Sequence, residues 1–388
     1  MNFLNDKSPM PDHRCPMPDP PVSAALDQRK GFTAKQSCAR SPITDHRSPL
    51  TVHRFLLCIL CSVFCVLSCT DLPGDPAPVD DKLNVRGITL VTWMNNGYSR
   101  SSAAEQLNAI QAAGITHLTL ICTAYMTSKS ASSVYTDFRT PTVGSLVFLL
   151  QEAKSRGLQT ILKAHVNLDN GEWSATIEPA DRQAWMDSYQ NFLLLLANAA
   201  ETADADMLII GNELSTMLDM KEHWRNLISE TRQLYSGQIT YAATWDAAML
   251  VPFWNELDYT GINFYAPVTQ GTEVSRFELL TGWQHWLDWL EEFRSATKKP
   301  LLLTEIGYRS LDGAGMSPED FTTRGPYDPS EQEDLYWAAL ESISNTDAVE
   351  GVIWWNWLAD GNGGDGNLDY TPLGKPAYDV LKETWADN

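Results

Sequence analysis

Three observations in the sequence predict an α/β chain folded as a single (β/α)8 TIM barrel. Eight short apolar runs alternate with amphipathic stretches between residue 85 and the C-terminus at 388, the rhythm of a parallel sheet whose strands are joined by crossover helices. Each run is apolar on both faces, as a strand covered on both sides must be. The turn after the first run, TWMNNGYS at 92–99, lacks the Gly-rich phosphate loop that opens a doubly wound nucleotide-binding sheet.

In chain order the runs are Arg86–Trp93, Thr116–Tyr125, Gln159–Val166, Asp206–Glu213, Gln238–Trp245, Leu257–Tyr265, Pro300–Gly307 and Val349–Trp357. They are rich in Ile, Leu, Val and Thr, residues that fill a pleated surface well. Between them Arg182–Ala200, Lys221–Tyr235 and Arg276–Ala296 carry apolar residues at helical spacing. Ser102 and Glu105 form the S-x-x-E pattern of a capping box. Gly114, Gly157 and Gly237 stand where a left-handed residue would end a helix and release the next strand. Trp283, Trp286 and Trp289, with Leu290 and Phe293, fall on one helical stripe and are expected in the core, as are Trp185 and Trp224.

The N-terminal part does not belong to this pattern. Residues 1–52 are rich in Pro, Ser, Asp and Arg without an apolar period, so they cannot pack. They are read as disordered, or as an extension ahead of a true start near Leu50 or Val52. Residues 53–69 then offer His53-Arg54, an apolar run from Phe55 to Leu67, and Ser68-Cys69, which is the layout of a secretory signal peptide. Val66-Leu67-Ser68-Cys69 resembles a bacterial lipobox, implying lipidation at Cys69. A Pro/Asp-rich tether over 70–84 would lead to the barrel domain at 85–388. The expectation is an exported cell-envelope lipoprotein, periplasmic or outer-surface facing, touching the membrane only through its anchor.

Charge and cysteine usage restrict the partners. The chain has 28 Lys+Arg against 49 Asp+Glu, a net charge of −21, which disfavours nucleic acid and anionic lipid. Of the seven cysteines only Cys122 lies in the folded part, so no internal disulfide is expected. His117, His165, His223 and His285 are scattered, and the loop Asp360–Asp369 fails the EF-hand pattern. Neither a metal nor another cofactor is expected, and the loop is read as a mobile acidic segment beside the cleft. A monomer is expected.

In a barrel, function sits at the C-terminal strand ends. Those ends are Trp93, Tyr125, Lys163 with His165, Asn212 with Glu213, Trp245, Tyr265, Glu305, and Trp355 with Trp357. Two carboxylates among aromatics suit a sugar. By simple alternation Glu213 shares a face with Met207, Ile209 and Gly211, and Glu305 shares one with Leu301 and Leu303. Two facing carboxyls, one protonated and one ionised, are what glycosidic cleavage requires. The apolar wall and an ionised Glu305 would raise the pKa of Glu213, and donors such as Tyr265 would stabilise Glu305. Trp93, Trp173, Trp245, Trp355 and Trp357, at strand ends or in loops, are candidates to stack on pyranose faces.

The ordered series ILKAHVNLDNGEW (161–173), MLIIGNELS (207–215), WRNLISETRQLYSG (224–237), TYAATW (240–245), DYTGINFYAP (258–267), LLTEIGYRS (302–310), VIWWNW (352–357) and LGKPAYDVL (373–381) resembles glycoside hydrolase family 113, in the retaining clan A, over about Arg86 to Trp385. The resemblance implies a β-1,4-mannanase-like enzyme with Glu213 as general acid/base and Glu305 as nucleophile. It further implies that Asn212 binds the sugar 2-hydroxyl, that Tyr265 orients the nucleophile, and that Lys163 and His165 line the inner subsites. The expected substrate is a β-1,4-mannan-type polysaccharide. Another β-linked glycan (xylan, β-glucan or an oligosaccharide) is the first alternative, and a non-catalytic surface glycan-binding lipoprotein the second.

Overall fold

The computed structural model describes residues 83–272 and 274–386. The N-terminal extension, the signal peptide with Cys69, and the tether up to residue 82 lie outside the described residues. Eight parallel strands close a barrel in chain order, each pairing with the next and the last with the first. They are β1 (Val85–Val91), β2 (His117–Met126), β3 (Gln159–Leu168), β4 (Met207–Asn212), β5 (Gln238–Thr244), β6 (Thr260–Asn263), β7 (Leu301–Ile306) and β8 (Gly351–Leu358).

Seven α-helices stand outside the strands among the described residues: α1 (Ser101–Ala112), α2 (Val143–Ser155), α3 (Arg182–Thr202), α4 (Lys221–Leu234), α5 (Arg276–Thr297), α6 (Pro329–Ser344) and α7 (Pro376–Trp385). Between β5 and β6 the crossover is made by two 3-10 turns, Ala248–Leu250 and Trp254–Glu256. Phe253 and Trp254 are buried there against Tyr241 of β5, so two aromatic rings cover the barrel where a helix would otherwise lie.

The core has two parts. A large outer layer lies between strands and helices and takes in Trp185, Trp224 and Trp283, while Trp286 and Trp289 are only partly buried at its edge. A small inner plug of Val85, Ile161, Met207, Ile209, Ala242, Leu302 and Ile353 fills the barrel. All seven lie in the strands below the C-terminal ends, so the lumen is packed beneath and open only at the top.

Local signals were honoured unevenly. Gly114 and Gly157 adopt φ of 72° and 87° after α1 and α2, as a helix C′ glycine should. Gly237 has no positive φ; a Cβ there would collide with the Tyr235 hydroxyl, so space rather than handedness requires glycine. The Ser102–Glu105 box does not form, because α1 starts two residues earlier than it requires, with Arg100 as N-cap and no side-chain cap. A reciprocal box forms instead at Ser275 and Glu278, at the start of α5. The loop Asp360–Asp369 is tied down: Lys375 Nζ donates to Ser310 Oγ and the Asp369 carbonyl, both at 2.8 Å, and to Asn367 Oδ1 at 3.2 Å.

Candidate active site

Both glutamates reach the lumen by a route that strict alternation does not give. On β4, Met207 and Ile209 point into the plug, but the register against β5 shifts between Ile209 and Asn212. Gly211 at this shift faces outward, for a Cβ on it would stand 2.8 Å from Tyr241 Cε2 and 3.2 Å from Trp224 Cη2. The extra residue turns Asn212 and Glu213 inward, and Glu213 takes φ of 55°, a left-handed conformation uncommon outside glycine. On β7 the inward residue is Leu302, whereas Leu301 and Leu303 belong to the outer core. Register shifts against β6 and β8 then bring Glu305 to the inner face. Glu213 and Glu305 therefore share no face with Gly211, or with Leu301 and Leu303, as the sequence had suggested. The bulges restore the outcome.

The two carboxyls line one cavity of about 440 Å³ at the C-terminal mouth. Glu213 accepts from Trp173 Nε1 at 2.7 Å on one oxygen and from Asn263 Nδ2 at 2.8 Å on the other. Burial first, and then the neighbouring Glu305 charge, push its carboxyl up to about 7 despite these donors and the nearby Lys163. Glu305 meets Lys163 Nζ at 2.5 Å and accepts from the Tyr265 hydroxyl at 2.8 Å. Burial and the Glu305 charge hold the Tyr265 hydroxyl well above the usual phenol range, so it remains a donor. The site thus pairs a carboxyl that holds a proton near neutrality with a carboxylate gripped by an ammonium. Such a pair can deliver a proton and a nucleophile to opposite sides of one bond.

Of the expected site residues, Trp93, His165, Trp173, Asn212, Glu213, Tyr265, Glu305 and Trp355 line this cavity together. Trp93 is 43% exposed at the rim, an open platform. The His165 ring lies nearly parallel to Trp355, 6.2 Å between centroids, and burial pushes the imidazole down to about 4, leaving it neutral at neutral pH.

Three expected residues are not in the lining. Lys163 is fully buried beneath the floor and holds Glu305 instead of facing substrate. Trp245 packs edge-on against Trp286, 5.1 Å between centroids. Trp357 is buried on the outer face, where its Nε1 donates to Gln106 and its ring meets Tyr378. The cause is again a bulge: opposite β1, Trp355 pairs with Thr89 but Trp357 pairs with Leu90. The two tryptophans therefore take opposite faces although they are two residues apart.

Asn263 has the largest role of the residues that sequence reasoning passed over. Its Nδ2 also donates to Asn212 Oδ1 at 2.9 Å, while its Oδ1 accepts from Thr304 Oγ1 at 2.9 Å and lies 3.5 Å from Lys163 Nζ. Two of its contacts fix which way its amide points, and through it the Asn212 amide, whose nitrogen is left to donate elsewhere. Asn263 is the last residue of β6; extending that strand to Tyr265 concealed it from a search of strand ends. Glu319, Phe321, Asp369 and Tyr370, all from the loops after β7 and β8, also line the wall, and no periodic pattern marks them.

Comparison with known proteins bears on the fold and the family. The model of Glycoside Hydrolase Family 113 matches residues 90–375. Among solved structures, a GH113 β-1,4-mannanase is 26% identical with a TM-score of 0.73, over 79% of this chain and 100% of that one. A GH113 β-1,4-mannanase solved as a complex is 25% identical with a TM-score of 0.72, over 78% and 99%. The GH113 β-mannanase of Alicyclobacillus acidocaldarius bound to ManMIm shares the fold at 22% identity, with a TM-score of 0.71 over 78% and 97%. No curated protein sequence matches the chain.

Proposed function

The chain belongs to glycoside hydrolase family 113, and from that membership we propose that it cleaves β-1,4-mannan-type polysaccharide with retention of anomeric configuration. One observation carries the reading: Glu213, its carboxyl raised to about 7, and Glu305, held by Lys163 and Tyr265, open onto the same cavity.

In the first step a Glu305 oxygen attacks the anomeric carbon. The bond to the leaving oxygen breaks, and that oxygen takes its electron pair and the Glu213 proton. In the second step the Glu213 carboxylate removes a proton from water, whose oxygen attacks the same carbon and expels Glu305 as carboxylate. Asn212, its amide oriented by Asn263, would donate to the hydroxyl beside the cleaved bond. Trp93, Trp173 and Trp355 would receive pyranose faces. The similarity to β-1,4-mannanases at 25% and 26% identity supports mannan over other β-glycans.

The test is hydrolysis of mannan, glucomannan, galactomannan, xylan and β-glucan, with chromatography of products and NMR of the first-formed anomer. Short manno-oligosaccharides released as the β-anomer are expected. Cleavage confined to xylan or β-glucan would replace the substrate, and a first-formed α-anomer would overturn the mechanism. The sequence of the leader supports a further proposal, that the enzyme is exported and anchored through lipid on Cys69.

A further inference from the structure

Lys163 is a buried charge whose part in the two-glutamate reading so far ends at holding Glu305. It comes from the middle of β3, has no exposed surface, and touches Glu305 Oε1 at 2.5 Å and Asn263 Oδ1 at 3.5 Å. The same Asn263 donates to Glu213 at 2.8 Å. One ammonium therefore lies in direct contact with one glutamate and one amide away from the other. We propose that Lys163 is a positioning residue for both half-reactions, pairing with Glu305 in the resting enzyme and serving as the counter-charge of Glu213 once Glu305 is esterified.

The argument, which rests on the two-glutamate reading, is a count of charges. In the resting site Glu305 is the carboxylate paired with Lys163, and its charge helps keep the proton on Glu213. Bond cleavage neutralises Glu305, which becomes an ester, and transfers the Glu213 proton to the leaving oxygen. The negative charge has then moved from Glu305 to Glu213, while the Lys163 ammonium has not moved. Its attraction, which already opposes the raised Glu213 value in the resting state, is no longer countered by a charged Glu305. Glu213 is thereby held ionised at the moment it must act as a base.

Other titratable groups around the pair do not supply this charge. His165 on the same strand is pushed down to about 4 by burial and stays neutral. Tyr265, Tyr241 and Tyr370 are all raised, first by burial, and remain protonated. Glu172, Glu319 and Asp369 on the cavity wall have the wrong sign.

The test compares Lys163→Met with Lys163→Arg on 2,4-dinitrophenyl β-mannobioside, or on the same glycoside of whichever glycan the panel identifies. This leaving group departs without a proton, so kcat reports the second step and kcat/KM the first. In Lys163→Met the acidic limbs of both profiles should rise by about one pH unit, a tenfold loss at any pH below them, with a burst of dinitrophenolate. In Lys163→Arg, which keeps the charge, both limbs should return toward the wild-type positions. A purely structural role would lower rates at every pH with the limbs unmoved, and that result overturns the inference. So does a shift in kcat/KM alone, since Lys163 would then serve only Glu305.

Should Lys163→Met fail to fold, the wild type still decides. With the enzyme trapped by a 2-deoxy-2-fluoro glycosyl fluoride, 13C NMR of the Glu213 carboxyl at pH 6 should show the carboxylate, and a protonated carboxyl overturns the inference. Labelling at Glu305 is the control. Labelling elsewhere overturns the two-glutamate reading, and this inference with it.

Discussion

Replacing Trp173 with phenylalanine removes one hydrogen-bond donor from Glu213. The indole Nε1 donates to Glu213 Oε2 at 2.7 Å, a short bond to a group that alternates between charged and neutral. A donor favours the charged form of its acceptor, so its loss raises the carboxyl pKa further, and the acid form survives to higher pH. A hydrogen bond to a charged group is worth about 1.5–3 kcal/mol, part of which water recovers in an open cavity. A residual difference of about 1.4 kcal/mol is one pH unit. The alkaline limb of kcat/KM on manno-oligosaccharide should therefore move from about 7 to about 8. Phenylalanine keeps an aromatic face, and the bond that ties Trp173 into the following turn uses its main-chain carbonyl. Complete pH–rate profiles at several substrate concentrations give the limb directly. A limb that stays in place, or moves to lower pH, refutes the assignment of Glu213 as the acid or of Trp173 as its donor.

Other outcomes follow from the same geometry. Glu213→Gln should cut turnover on polysaccharide by several orders of magnitude yet raise stability above neutral pH. The folded carboxyl titrates near 7 against an ordinary 4.5, so the wild type loses stability as pH rises between those values and has lost it fully above 7. The gain should be nearly nil at pH 4 and grow to roughly 3 kcal/mol at pH 8, read as a melting-temperature gap; a gap that shrinks with pH would contradict the burial argument. Trp355→Ala should lower kcat/KM with little change in melting temperature, whereas Trp357→Ala should cost about 3–5 kcal/mol of stability and spare the kinetics of the folded enzyme. Metabolic labelling with palmitate should tag the full-length protein, and Cys69→Ser should abolish the label and release the protein from the membrane fraction; labelling that persists in the variant would remove Cys69 as the anchor.

Helix ends and strand ends differ in how far local chemistry decides them. Arg182 and Lys221 open their helices where periodicity put them, because an apolar stripe needs only one face to be buried. The Ser102–Glu105 pattern failed although its residues are correct, because the backbone entered α1 two residues earlier and left that serine inside the helix. By strand position Lys163 and Trp357 are expected at the substrate, yet one lies under the floor and the other behind the wall.

Sequence by itself determined the barrel, the two glutamates that open onto its mouth and most of the aromatic lining. Eight doubly buried runs leave few other ways to cover every face, and catalytic groups must stand where the packed lumen opens. Only the tertiary structure decided which way individual strand-end residues point. Alternation is a local rule, while a bulge arises from the fit between neighbouring strands: Gly211 is pressed outward against Tyr241, and Trp355 and Trp357 are split by their register with β1. The Asn263 bridge joins residues distant in the chain by a single amide, and that contact exists only after the barrel has closed.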